Sequence, residues 1–287
     1  MKSIELIQRR LEEYDCGSEE EELNAIREIL QELILAGLAR TDFFTKAAFQ
    51  GGTQLRIFEG IRRYSEDLDF ALVAPDLKFS LKGYLDKVAK ELESVGVQLE
   101  VKDKSKAESA VKKGFLKENS LVRLLELHYV GGKGTLETPA KTLIKLEVDA
   151  NPPSGAGYLA QTVLFPYPAS VRCFDRSSSF AGKLHALLCR TYVKGRDWFD
   201  LIWYASVRAK ANCALLSAAL DQQGPWSGQR VTADGRWIRR ELLSVIERMD
   251  WNAAREDVRR FVYADDRSSL DLWTRDFFTS LVDRLEF

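Results

Sequence analysis

The chain has 287 residues, 45% hydrophobic and 30% charged, and its 42 Lys+Arg against 43 Asp+Glu leave a formal net charge of -1. That balance excludes a disordered chain, a collagen-like chain, a disulfide mini-protein and a wholesale basic coat for nucleic acid, while leaving room for a local basic patch. The length predicts two domains or one large one, with enough core to fold without a metal or disulfide staple.

The N-terminus, Met1-Lys2-Ser3-Ile4-Glu5, has no apolar run of the kind a signal peptide carries. The most apolar stretch, Leu30 to Leu38, is too short to span a bilayer and contains Gln31 and Glu32. Cys16, Cys173, Cys189 and Cys213 are scattered, and His128 and His185 are the two histidines. No paired-ligand spacing for zinc is present, so free thiols in a reducing, cytoplasmic setting are expected.

Taken in chain order, residues 20–38 predict an amphipathic helix with Glu19 to Glu22 at its positive end. Thr41 or Asp42 caps a second predicted helix, Phe43 to Phe49, ending at Gly51-Gly52. A short helical turn precedes Asp67 to Val73, which alternates and then becomes apolar, as a strand entering a core does. Residues 80–94 suit a helix, and Val97 to Val101, Leu121 to Val130 and Thr142 to Val148 suit strands, the last two joined by Gly131-Gly132-Lys133-Gly134. Asn151-Pro152-Pro153-Ser154-Gly155 then breaks regular structure. From Ser177 the pattern has helical period, with candidate helices at 177–192, 196–208, 210–221, 234–248, 252–262 and 267–285, and all six tryptophans lie in this half. The fold expected is α+β, a mixed sheet with flanking helices over 1–170, followed by a helical domain over 171–287.

Four features point to chemistry. Gly51-Gly52-Thr53-Gln54-Leu55-Arg56 forms a tight turn before a helix, where outward N–H groups and the helix dipole make a phosphate cradle. Asp67 and Asp69, two apart on a strand, project to one face, and such a pair calls for a cation; oxygen ligands without His or Cys suit Mg²⁺. On the later strand Lys145, Glu147 and Asp149 share a face while Ile144, Leu146 and Val148 share the other. Either acid completes a carboxylate triad of the kind that supports nucleotidyl transfer. A last motif runs Lys183-Leu184-His185-Ala186 to Arg190, then Lys194-Gly195-Arg196-Asp197-Trp198-Phe199-Asp200-Leu201. Lys183, Ala186 and Arg190 fall near one helical face, and Lys183 suits a triphosphate.

Together these segments, over about residues 40–205, resemble the AbiEii/AbiGii family of nucleotidyltransferase toxins from type IV toxin–antitoxin systems, within the DNA polymerase β-like nucleotidyltransferase superfamily. The resemblance rests on Gly-Gly-Thr-x-Leu-Arg, Ser-x-Asp-Leu-Asp-Phe, Lys-x-Glu and the Lys-Leu-His-Ala…Arg…Lys-x-Arg-Asp-x-x-Asp-Leu helices. It implies a nucleotidyltransferase-like N-terminal domain, with Gly51, Gly52, Thr53, Arg56, Lys183, Arg190 and Arg196 binding nucleotide. It implies Mg²⁺ on Asp67, Asp69 and Glu147, with Asp149 as the alternative third acid and Asp197 or Asp200 as the acid of the last motif. The implied substrates are an NTP and an RNA acceptor, with the tRNA 3′ end expected. Lys102 to Lys117, Arg190, Lys194, Arg196, Arg239, Arg240, Arg255, Arg259 and Arg260 offer phosphate contacts. A cognate antitoxin is implied, and in a type IV system it need not bind the toxin. The same core resembles aminoglycoside nucleotidyltransferases, so a small-molecule or protein acceptor is the alternative, and a non-catalytic nucleotide-binding relic is the third reading.

Overall fold

The computed structural model describes residues 3–94, 96–102, 120–129 and 140–287. Most of the lysine-rich stretch (Lys104 to Lys117) and the Gly131–Gly134 turn lie outside the described residues.

The chain divides into two compact units. The first holds residues 1–60, 64–151 and 160–173; the second holds 61–63, 152–159 and 174–287. Residues 61–63 thus join the helical unit from a position far earlier in the chain.

The first unit opens with α1 (Ser3–Glu12) and α2 (Glu19–Ala39). Ser18 caps α2 by accepting from the Glu21 N–H, and four glutamates fill its first turn against the helix dipole. Next come α3 (Phe43–Lys46), β1 (Ala47–Gln50), α4 (Gly51–Glu59), β2 (Leu68–Leu72), α5 (Lys82–Ser94), β3 (Gln98–Lys102), β4 (Ser120–Tyr129), β5 (Ala140–Asp149), β6 (Tyr158–Val163) and β7 (Ala169–Phe174). The seven strands form one mixed sheet in the order β3-β4-β5-β2-β1-β7-β6. β2 pairs antiparallel with β1 and parallel with β5. This places the acid-bearing strands side by side in the middle of the sheet.

Apolar residues on these strands explain their central position. Phe49, Phe70, Ile144, Leu146 and Val148 are buried, as are Phe43 and Tyr84. Phe43 meets Phe70 edge-on with ring centroids 5.0 Å apart, and Phe49 meets Phe70 at 5.2 Å. Burying each such side chain stabilises the fold by about 1.5–3 kcal/mol before entropy is counted.

One expectation is corrected here. Phe43 to Phe49 does not continue as a helix to Gly51-Gly52. The helix stops at Lys46, β1 enters the sheet, and Gly51 begins α4 rather than ending its predecessor. Asn151 to Gly155 carries neither helix nor strand, as expected, whereas β6 and β7, which follow it, and α1 were not expected.

The second unit contains α6 (Arg176–Cys189), α7 (Gly195–Ser206), α8 (Cys213–Gln222), α9 (Gly235–Arg248), α10 (Trp251–Arg259), a 3₁₀ segment (Ala264–Leu272) and α11 (Arg275–Val282). Asp175, Asn212, Asp234, Asp250 and Thr274 each cap the following helix through a side-chain oxygen. The last predicted helix is therefore two elements, divided where Thr274 restarts the chain. Trp251 stacks on Phe278 at 4.2 Å, and Trp198 meets Phe278 edge-on at 5.1 Å. Close approach of α7 and α10 requires Gly195, where an added Cβ would stand 1.9 Å from the Ala254 carbonyl oxygen.

All four cysteines are free thiols; Cys173 and Cys189 are buried and Cys16 and Cys213 are partly exposed. Among the described residues no helix is long and apolar enough to cross a membrane.

Candidate active site

In the first unit the glycine turn and the acidic strands converge. Gln50 is extended, and its register partner across the β1–β2 pair is Asp69. The chain then turns at Gly51, whose φ of 85° lies in the left-handed region that glycine tolerates. A Cβ at Gly51 would stand 2.5 Å from Asp69 Oδ2, so the turn is packed directly on that carboxylate. No side chain caps the start of α4 at Gln50. Its first-turn N–H groups therefore form a positive helix end beside Asp69.

Thr53 secures the other side of the turn. It is fully buried, and its hydroxyl donates to the Asp67 carbonyl oxygen. The hydroxyl expected on nucleotide phosphates is thus committed to the backbone of the acidic strand. Arg56, also expected to bind nucleotide, pairs instead with Glu28 on α2 at 2.6 Å and lies over the Tyr64 ring. Both side chains are close to nine-tenths buried, so Arg56 braces α4 against α2.

Asp67 and Asp69 remain half-exposed. Glu147 is the register partner of Asp69 on parallel β5, while Asp149 lies opposite Ala71. The Asp149 carboxylate is buried and accepts from the Asn151 N–H at 3.1 Å. Lys145 Nζ lies 2.7 Å from Glu147 Oε2. Burial works against the Lys145 charge, but Glu147, Asp67 and Asp69 together raise its pKa above the ordinary lysine value. Lys145 thus reports a shared negative field from all three acids.

The donor set suits a hard cation. Among the described residues no group of three or more His, Cys, Asp and Glu side chains stands ready to hold a metal ion unaided. Two carboxylates, with phosphate oxygens and water completing the shell, are the usual protein share of a Mg²⁺ site. Asp67 and Asp69 fit that share.

The second unit gathers the last motif. Lys183 Nζ, on α6, lies 2.7 Å from Asp197 Oδ1 and 2.7 Å from Asp200 Oδ2, both on α7. Arg190 Nε is 3.0 Å from Asp197 Oδ2. Arg63 grips Asp200 with a fork, Nε to Oδ1 at 2.6 Å and Nη2 to Oδ2 at 2.7 Å. Asp197 and Asp200, left as alternatives by the sequence, are both buried and both hold Lys183. Burial would raise the Asp197 carboxyl, but Lys183, Arg190 and Lys194 outweigh it and hold the group well below the usual carboxylate range. Lys194 is pushed down to about 8 by burial and by Arg190, Arg196 and Lys183, with Asp197 opposing. Arg196 lies over the Phe261 ring with its guanidinium carbon 4.1 Å from the centroid.

Other expected phosphate contacts are diverse. Arg239 donates to the Val282 and Leu285 carbonyls and so ties α9 to the end of α11. Arg240, Arg259 and Arg260 are exposed, and Arg255 bonds Asn252.

Residues 33–275 match the family described as nucleotidyl transferase AbiEii toxin, type IV TA system. The chain belongs to the AbiEii family. It is therefore a nucleotidyltransferase by domain and a member of a toxin family. Its fold is similar to that of MenT4, nucleotidyltransferase toxin Rv2826c from Mycobacterium tuberculosis H37Rv, with a TM-score of 0.53 and 16% identity over 99% of each chain. It is also similar to JHP933 from Helicobacter pylori, with a TM-score of 0.49 and 17% identity over 91% of this chain and 90% of that one. No curated protein matches the sequence.

Within this AbiEii-family chain, sequence reasoning missed one residue of the second cluster. Arg63 lies two residues ahead of the Ser-x-Asp-Leu-Asp-Phe strand, and the local sequence gives it no role. An arginine four residues ahead of Asp67 was the available signal, and its partner Asp200 is 137 positions away.

Proposed function

We propose that this chain transfers NMP from an NTP to an RNA acceptor, the tRNA 3′ end being the expected site, with Mg²⁺ as the metal. The observation that carries the reading is the contact of the Gly51 turn with Asp69. It sets the positive end of α4 against a carboxylate able to share a metal with phosphate oxygens.

In this reading the first-turn N–H groups of α4, at Gly52 and Thr53, bind phosphate oxygens. Asp67 and Asp69 hold Mg²⁺, which would neutralise phosphate charge and favour attack on the α-phosphorus. Glu147 is assigned the third carboxylate because it is the register neighbour of Asp69, with Lys145 keeping it in place. It orients the acceptor hydroxyl and receives its proton. The acceptor oxygen bonds to the α-phosphorus, the bond to the β-phosphate bridge breaks, and pyrophosphate leaves. Lys183 is assigned to the triphosphate. Two of its three ammonium donors face Asp197 and Asp200, which fix its position and leave one donor for an anion. A cognate antitoxin is proposed as a partner, without a requirement for direct binding.

Incubating the protein with Mg²⁺, each α-labelled NTP in turn and total tRNA tests the acceptor. Label on tRNA is the expected result. Label carried by a small molecule or a protein, with tRNA unlabelled, would overturn the RNA assignment.

A further inference from the structure

The ion pairs around Lys183 contain a problem that Arg63 solves. A lysine held between two carboxylates at 2.7 Å is neutralised by them and has little attraction left for an anion. Here each carboxylate is shared with a second cation: Asp197 with Arg190, and Asp200 with Arg63. Arg63, Lys183 and Arg190 set three positive charges against two negative ones. The Arg63–Asp200 contact is the most buried of these pairs, with side-chain exposures of 2% and 0%. Its fork geometry uses both carboxylate oxygens, so Asp200 cannot rotate away from Arg63 without breaking two charged hydrogen bonds. The backbone of Arg63 is also fixed, through an antiparallel bridge to Val262.

We propose that Arg63 is a positioning residue for Lys183: by taking up the charge of Asp200, it keeps the Lys183 ammonium both fixed and available to a polyphosphate. This rests on the reading that Lys183 binds the NTP phosphates. Arg63 itself touches Asp200 and need not touch substrate. The role explains why a residue between the phosphate turn and the acidic strand in sequence belongs to the helical unit in space.

Three variants separate charge compensation from simple packing. Arg63→Met leaves Asp200 balanced by Lys183 alone. Arg63→Lys keeps the charge but loses the fork. Arg63→Met combined with Asp200→Asn removes one charge of each sign and restores the balance at Lys183, although the original contact is gone. Binding of inorganic tripolyphosphate, followed by calorimetry, should weaken roughly tenfold or more in Arg63→Met, stay within about threefold of the parent in Arg63→Lys, and recover part of the loss in the double variant, short of the parent because the Asp200 charge that helps fix Lys183 is gone. A folded Arg63→Met protein with parental affinity would overturn the proposal, as would a folded double variant as weak as Arg63→Met. If Arg63→Met alone does not fold, the folded double variant decides: a roughly tenfold loss there assigns Arg63 to packing. The Lys183 ammonium resonance, followed by ¹⁵N NMR without ligand, separates the two readings. A resonance that moves in Arg63→Met and returns in the double variant, in a protein that binds no tripolyphosphate, would uphold the positioning role and remove Lys183 from the nucleotide site. A resonance unmoved by losing Arg63 would overturn the positioning role itself.

Discussion

Gly51 and Asp69 pack so closely that no side chain fits between them: a Cβ at Gly51 would come within 2.5 Å of Asp69 Oδ2. The backbone there also has a φ of 85°. Gly51→Ala should therefore displace Asp69 and strain the turn together. We expect a stability loss of about 1–3 kcal/mol in thermal melts and a fall in transfer rate on the order of tenfold or more. An alanine variant with parental rate and melting temperature would show that the turn does not set the position of Asp69.

Asp67 and Asp69 are half-exposed, so their neutral amides should fold normally. Removing either carboxylate removes a metal donor and costs several kcal/mol of transition-state stabilisation, or roughly a thousandfold in rate. Single-turnover rates of Asp67→Asn and Asp69→Asn, with circular dichroism to confirm folding, check this. Lys145 should meanwhile lose part of the field that raises its pKa, in either variant.

Asp197 contributes to stability in a pH-dependent way. Its carboxyl is held below the usual range by Lys183, Arg190 and Lys194 despite burial. A group depressed in the folded state stabilises at pH values above its unfolded pKa and loses that contribution as pH falls through its folded pKa. Denaturant unfolding should show Asp197→Asn less stable than the parent at pH 7, with the gap narrowing below about pH 4. A gap constant from pH 7 to the acid limit would contradict the pairing.

Lys194 predicts proton uptake on ligand binding. Burial and the surrounding Arg190, Arg196 and Lys183 lower it to about 8. The folded protein therefore releases this proton at a pH where the unfolded chain keeps it, so its contribution to stability rises between about pH 8 and 10. An anion brought beside Lys194 favours the charged form. Calorimetry of tripolyphosphate binding at pH 8, in buffers of different ionisation enthalpy, should show uptake of about half a proton that disappears in Lys194→Met. Equal heats in both buffers would place the anion away from Lys194.

Much of the scaffold was legible because its periodicity was strong. The apolar stripe of α2, the alternation at β5 and the capped helices α6 and α8 to α10 all follow from side-chain spacing and polar caps. β1 was misread because Ala47-Ala48-Phe49 is apolar throughout, and a short buried strand has the same pattern as a buried helical turn. β6 and β7 were hidden by their short length and by Pro166 and Pro168 between them. At the candidate site the local elements were readable: the glycine turn ahead of α4, the strand carrying Asp69 and the Lys183 helix. Assignments that depended on distant partners were not. Arg56 sits in the motif yet faces Glu28, and Arg63 finds Asp200 through the fold rather than through the chain.

The most direct measurement follows the fate of the two ends of the NTP. Parent and Asp69→Asn proteins are given Mg²⁺, tRNA and NTP labelled in either the α- or the γ-phosphate. With the parent, α-label should enter tRNA and γ-label should leave as pyrophosphate, and both outcomes should vanish in a folded Asp69→Asn protein. Transfer of γ-label to the acceptor, or undiminished α-label transfer by Asp69→Asn, would contradict nucleotidyl transfer at this carboxylate.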